Sequence, residues 1–189
     1  MSSLNLPLRY SIETDGTAPS HLDHICSTVI SEGGVEKTDI LRSVDVGSTP
    51  LTASSSGTLY AMIGIRLKAD YKDITVIPEA LTAIATSNDS FRWSLHFNPT
   101  ITNPFAYSDV DDSSLQEAYG VTANVITDEG TKIASGYSST STKQIDTVLN
   151  TALRLGSTIA GVQDELILAI MPLSTNLTVY GSLEVRELL

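Results

Sequence analysis

The stretch Phe91-Arg92-Trp93-Ser94-Leu95-His96-Phe97 decides the fold. Its large apolar residues fall at every second position, the period of a strand rather than of a helix. Phe91, Trp93, Leu95 and Phe97 therefore share one face, and His96 stands on the other. Aromatic rings in that arrangement need a second layer to cover them, so the segment reads as a half-buried strand of a layered sheet protein. The same rings could stack sugars only if their face were left open. Beside Leu95 at period two, a core role is the better reading.

Working outward, the same period recurs with turn signals between the runs. Leu6 to Glu13 alternates and breaks at Asp15-Gly16. Leu59 to Leu67 forms a long strand after Ser54-Ser55-Ser56-Gly57. Ile74 to Ile77 and Leu81 to Ala85 are separated by Pro78, which has no ladder donor and marks a bulge or an edge. Val121 to Ile126 and Lys132 to Tyr137 flank Asp128-Glu129-Gly130 and predict a hairpin. Glu165 to Met171 is a continuous apolar strand. In the last strand Leu177, Val179, Gly181, Leu183, Val185 and Glu187 share one face. Asn98 to Asp112 carries Pro99, Pro104 and an aspartate cluster, and reads as a long loop.

Helical signals are few. Leu115 to Tyr119 has the spacing of a single turn. Ser20 to Ile30 reads as a short helix, with Ser20 as its cap and Leu22, Ile25 and Val29 on one stripe. Ile145 to Leu155 fits either period, and its threonines favour a strand. The sum predicts an all-β protein, an antiparallel β-sandwich or jelly roll with one or two short helices. The expected division is an N-terminal arm, residues 1–7, and a single β-sandwich domain, residues 8–189.

The chain has 189 residues, enough to bury a core without disulfide or metal staples. Charged residues make up only 17%, below the usual quarter, and Ser and Thr supply about a quarter of the chain. The net charge is −11, with a pI near 4.5. Such a surface repels phosphate, which argues against nucleic acid and against anionic membranes as partners. The densest basic group, Arg66, Lys68 and Lys72, is explained by alternation along a strand. Cys26 is the single cysteine, so no intrachain disulfide forms. The opening MSSLNLPLRY lacks the charged and apolar regions of a signal peptide. No apolar run approaches the roughly 18 residues of a membrane span. Synthesis in a cytoplasm without secretion is expected.

No motif demands chemistry. His21, Asp23 and His24 offer two imidazoles and a carboxylate at helical spacing, short of the three or four ligands of a metal site. Asp109, Asp111 and Asp112 lack the glycine and terminal glutamate of a calcium loop. A serine-rich chain with three histidines allows many Ser/His/acid combinations, but no nucleophile elbow is present. Cys26, among apolar neighbours, reads as a buried inert thiol. The expectation is a protein that is not an enzyme, with no catalytic, cofactor-binding or metal-binding residues. Phe105 and Tyr107 stand apart: they follow Pro104 in the long loop and belong to no alternating pattern. They are candidates for a partner contact, against the alternative that they pack the loop down.

Three strings carry a resemblance. Arg9-Tyr10-Ser11-Ile12-Glu13 with Ile25-Cys26-Ser27-Thr28-Val29-Ile30-Ser31-Glu32-Gly33-Gly34, and Ser182-Leu183-Glu184-Val185-Arg186-Glu187-Leu188 at the other end, resemble structural proteins of tailed bacteriophages of marine and cyanobacterial hosts. Members often carry an aromatic before the Arg-Glu; here Leu183 and Val185 stand near that place. The resemblance implies a virion component with a jelly-roll-like β domain and no catalytic residues. In particular it implies a head decoration, or cement, protein that binds the major capsid protein as a homotrimer, made in the host cytoplasm and resident in the virion. Residues 1–7 would form its arm, with Leu4 and Leu6 as anchors, and its acidic charge would meet a basic patch on the shell. The alternative is a receptor- or carbohydrate-binding tip domain of a tail fibre or spike.

Overall fold

A computed structural model of the chain describes residues 39–71, 74–86, 89–139, 144–149, 154–158, 162–174 and 176–188. The chain divides into Met1–Glu36 and Lys37–Leu189, and every described residue belongs to the second unit. The expected arm at 1–7 with Leu4 and Leu6, the strand at Leu6 to Glu13, the helix at Ser20 to Ile30, the His21–His24 group and Cys26 all lie outside the described residues.

Two antiparallel sheets make up the described unit. In the first, β1 (Asp39–Asp45), β13 (Leu177–Leu188), β4 (Thr75–Ala85) and β11 (Gln144–Val148) lie in that order, and β2 (Leu51–Ala53) pairs with the start of β13. In the second the order is β10 (Thr131–Ser138), β5 (Phe91–Phe97), β12 (Glu165–Pro172), β3 (Tyr60–Leu67), β8 (Leu115–Tyr119) and β7 (Ser108–Asp109). A small ribbon joins β6 (Thr100–Ile101) to β9 (Ile126–Asp128). Strands β2 and β6 to β9 belong to connections between β1 and β3 and between β5 and β10. Without them eight strands remain, ordered first-eighth-third-sixth in one sheet and fifth-fourth-seventh-second in the other. The fold is an all-β sandwich, as the strand periods predicted, and no helix is present among the described residues.

The core lies between the sheets. Strand β13 alternates without a break: Thr178, Tyr180, Ser182 and Glu184 are half-buried, while Gly181 and the apolar Leu177, Val179, Leu183 and Val185 are buried. They meet Phe91, Trp93 and Leu95 of β5 and Leu166, Leu168 and Ile170 of β12. A bulge at Met62 in β3 turns two successive residues, Met62 and Ile63, toward this core. It hands Ala61 on one side of it, and Gly64 on the other, to the outer face.

Several sequence expectations need correction. Leu115 to Tyr119 is not a helical turn but strand β8, because the open edge of β3 supplies five paired positions that a single turn cannot match. The hairpin across Asp128-Glu129-Gly130 does not form. The turn is real, with Gly130 at φ 57 and its N–H bonded to Asp128 Oδ1 at 2.9 Å. Its two arms separate, however: β9 pairs with β6 and β10 with β5. Ile74 to Ile77 and Leu81 to Ala85 join into one strand, β4. Of the bulge or edge expected at Pro78, the bulge is what forms: the ladder to β13 slips beside it, with Glu184 opposite Ala80 and Val185 opposite Pro78, and β4 is not an edge strand. Strand β5 is buried on both faces rather than one, since Ser94 and His96 are fully enclosed.

Candidate functional site: a loop-walled cleft beside Arg66 and Glu165

The outer face of the second sheet is apolar where the long loop covers it. Ile167 and Ala169 of β12 and Ala61 of β3 pack with Leu59, Ile126, Ile101, Phe105 and Met171. This second cluster explains why β12 is apolar throughout: both of its faces are inside. Gly64 allows the loop to come down. A Cβ there would lie 2.5 Å from the Phe105 ring, far inside contact distance, so a glycine is required at this close approach.

Beside Gly64 a polar row crosses four strands. Glu165 of β12 stands opposite Arg66 of β3, Arg66 opposite Gln116 of β8, and Gln116 opposite Asp109 of β7. Arg66 Nη1 lies 3.6 Å from Glu165 Oε1. Arg66 Nε donates to Gln116 Oε1 at 2.8 Å, and Gln116 Nε2 donates to Asp109 Oδ1 at 2.8 Å. The guanidinium carbon sits 4.1 Å from the centre of the Tyr107 ring, a cation–π contact. Phe105 meets Tyr107 edge to face, with ring centres 5.9 Å apart. Tyr107, met edge-on by Phe105, thus holds Arg66 from one side while Gln116 holds it from another.

A cleft of about 350 Å³ opens elsewhere, and one of about 300 Å³ opens here. The cleft here is lined by Arg66, Glu165, Phe105, Pro99, Thr100, Ile101 and Pro104. Burial pushes the Glu165 carboxyl above its ordinary range, and Arg66 pulls it part of the way back. Burial, reinforced by the Glu165 charge, also raises the Tyr107 phenol, so it stays protonated. Its hydroxyl is buried with no hydrogen-bond partner among the described residues.

Two other polar clusters draw the eye, and both are closed. Glu187 occupies an inward position of β13 and is 1% exposed. Its Oε1 accepts from Ser113 Oγ at 2.6 Å and Arg42 Nε at 3.2 Å; its Oε2 accepts from the Ser114 N–H at 2.9 Å and Ser114 Oγ at 2.6 Å. Burial alone would raise this carboxyl, but the bonds from Ser113, Ser114 and Arg42 outweigh it and hold the pKa below the usual range. The larger cleft opens beside this carboxylate, whose acceptor sites are already taken by the protein. Glu187 pins the 112–114 turn to the end of the first sheet, where Arg42 also donates to the Asp112 carbonyl.

The second cluster has the outline of a nucleophile and its base. His96 Nδ1 lies 2.8 Å from the Glu129 carbonyl, which can only accept, so Nδ1 carries the proton. Nε2 must then accept from Ser94 Oγ at 2.7 Å. Both residues are fully buried, so Ser94 meets no substrate. The pair satisfies two polar groups on the covered face of β5. Burial holds the imidazole below its ordinary pKa, with Glu129 partly opposing.

Of the residues singled out from sequence, Phe105 and Tyr107 come together at the cleft. They pack the loop down onto the second sheet, and Phe105 also walls the cleft. Trp93, Phe91 and Leu95 lie in the core, which removes the sugar-stacking reading for that strand. Asp109 is engaged by Gln116 and faces Lys68 Nζ at 3.9 Å. No group of three or more His, Cys, Asp or Glu among the described residues is arranged to hold a metal. Sequence reasoning passed over Arg66 and Glu165, since only pairing makes them neighbours. The signal was Gly64, a glycine inside an apolar strand, which marks a close approach by another part of the chain.

No family model, curated protein or solved structure matches the chain. What the fold itself defines is a class, the two-sheet antiparallel β-sandwich.

Proposed function

We propose that the protein is a structural component of a tailed-bacteriophage virion: a head decoration protein that binds the shell, stabilises it and performs no catalysis. The observation that carries the reading is the strand order. First-eighth-third-sixth over fifth-fourth-seventh-second, read with the connection strands β2 and β6 to β9 set aside, supports a jelly roll, an architecture common to viral capsid and lectin domains. The likeness at the two ends of the sequence favours the first of these. The major capsid protein and further copies of this chain, as a homotrimer on threefold sites, are the proposed partners. The net charge of −11 suits a basic patch on the shell. The two internal polar clusters support a structural role, because their groups are spent on holding loops and strands together.

The test is quantitative mass spectrometry of purified particles, with a reconstruction of the head. Copy number near that of the threefold sites, with density there, is the expected result. Absence from particles refutes the proposal. A second reading, a receptor- or carbohydrate-binding tip domain of a tail fibre or spike, draws support from the cleft at Arg66 and Glu165. It predicts saturable binding to host surface glycans.

A further inference from the structure

We infer that the cleft between Arg66, Glu165 and Phe105 binds a neutral sugar ring at the end of a glycan, an inference that rests on the second reading above and gives it a site. Arg66 offers only donors and Glu165 only acceptors. A pair of neighbouring sugar hydroxyls complements both, since each hydroxyl donates and accepts at once. The 3.6 Å between Arg66 Nη1 and Glu165 Oε1 is longer than a hydrogen bond. Arg66, at that distance, is the partner the structure gives the carboxylate, which is half-buried. Both side chains keep about a third of their surface open, 30% and 29%, so their unused capacity faces the cleft.

The donor is already in place. Gln116 fixes Arg66 Nε and Tyr107 fixes the guanidinium plane, so little side-chain freedom is lost when a ligand binds. The acceptor sits on the neighbouring strand in direct register. Phe105, Pro99, Pro104 and Ile101 supply an apolar wall for the carbon–hydrogen face of a ring. At about 300 Å³ the cleft is at the small end of ligand sites, which suits one or two rings and not a long oligosaccharide. The Arg66–Glu165 pair is neutral as a unit, and the chain carries −11 overall. Sialylated or uronate sugars are therefore disfavoured relative to neutral hexoses.

The experiment is an array of neutral and sialylated glycans probed with the full chain, followed by saturation-transfer NMR with the methyl glycoside of the best neutral hit. Binding to neutral glycans is expected. Glu165→Gln and Phe105→Ala should each weaken it about tenfold or more, the worth of one well-made contact. Arg66→Lys keeps the charge, loses the fork, and should weaken it similarly. Melting curves of each variant establish that it is folded, and Glu165→Gln, nearly isosteric, is the decisive one. No binding to any glycan overturns both this inference and the reading beneath it. Glycan binding that Glu165→Gln and Phe105→Ala leave unchanged overturns the site alone. Preference for sialylated over neutral glycans also overturns it.

Discussion

Replacing Glu187 by glutamine changes one oxygen to an amide and nothing in size, yet it should be among the more damaging single substitutions in the described unit. Four donors converge on the carboxylate: two hydroxyls, the Ser114 N–H and Arg42 Nε. The hydroxyls of Ser113 and Ser114 can rotate to accept from an amide. The Ser114 N–H and Arg42 Nε cannot. They lie on opposite oxygens, so whichever way the amide is turned, one fixed N–H faces another donor. A hydrogen bond to a charged group is worth about 1.5–3 kcal/mol, and a buried donor left unpaired costs about 1–3 kcal/mol. Because Arg42 keeps a quarter of its side chain in solvent, water recovers part of its loss. A net loss of about 2–4 kcal/mol follows, or about 4–16 °C in midpoint for a chain of this size. Urea unfolding followed through Trp93, the single and buried tryptophan, measures it at pH 7. The pH dependence adds a second readout. The folded pKa of Glu187 is depressed, so its contribution is complete above the unfolded value of about 4.3 and is lost as pH falls through the folded value. The difference between native protein and E187Q should therefore be widest near neutrality and shrink below about pH 4.3. A loss under about 0.5 kcal/mol at unchanged m-value, the range of ordinary surface changes, would refute the reasoning. So would a gap that stays constant into acid.

Gly64→Ala should lower stability by about 1–3 kcal/mol, because its methyl lies 2.5 Å from the Phe105 ring and forces the loop outward; thermal melting reads the loss, and an unchanged midpoint would mean that the ring does not rest there. His96 is buried with a lowered pKa, so the unfolded chain takes up a proton first and stability falls as pH drops below about 6.5. His96→Gln, whatever its cost at pH 8, should flatten that slope, and a slope identical to the native protein's would show that His96 does not supply it. Tyr107→Phe removes a hydroxyl that has no partner among the described residues while keeping the ring under Arg66. It should be neutral or stabilising by up to about 1–3 kcal/mol, and a loss above 1 kcal/mol in urea unfolding would show that the hydroxyl is bonded after all.

The periods along the chain were enough to determine that this is a layered β protein and which face of β13, and which apolar face of β5, lies in the core. Phe91, Trp93 and Leu95, and Leu177, Val179, Leu183 and Val185, are buried where alternation placed them, because side-chain direction in a strand is a local property of the pleat. Position likewise pointed to Phe105 and Tyr107, since aromatic residues that follow a proline in a loop, outside any period, need a special reason for their place. Neighbourhood between strands was another matter. Which strand β10 joins, and whether Leu115 to Tyr119 coils or extends, turned on an open edge far away in sequence. Glu187 read as one more member of an alternating face, and Arg66 as one of three basic residues explained by alternation along a strand. The tertiary structure alone put Ser113, Ser114 and Arg42 around the first and Glu165, Gln116 and Tyr107 around the second. Hydrogen-bond and ionic partners come from pairing register and loop descent, which bring together residues 50 to 145 positions apart, and no local pattern encodes them.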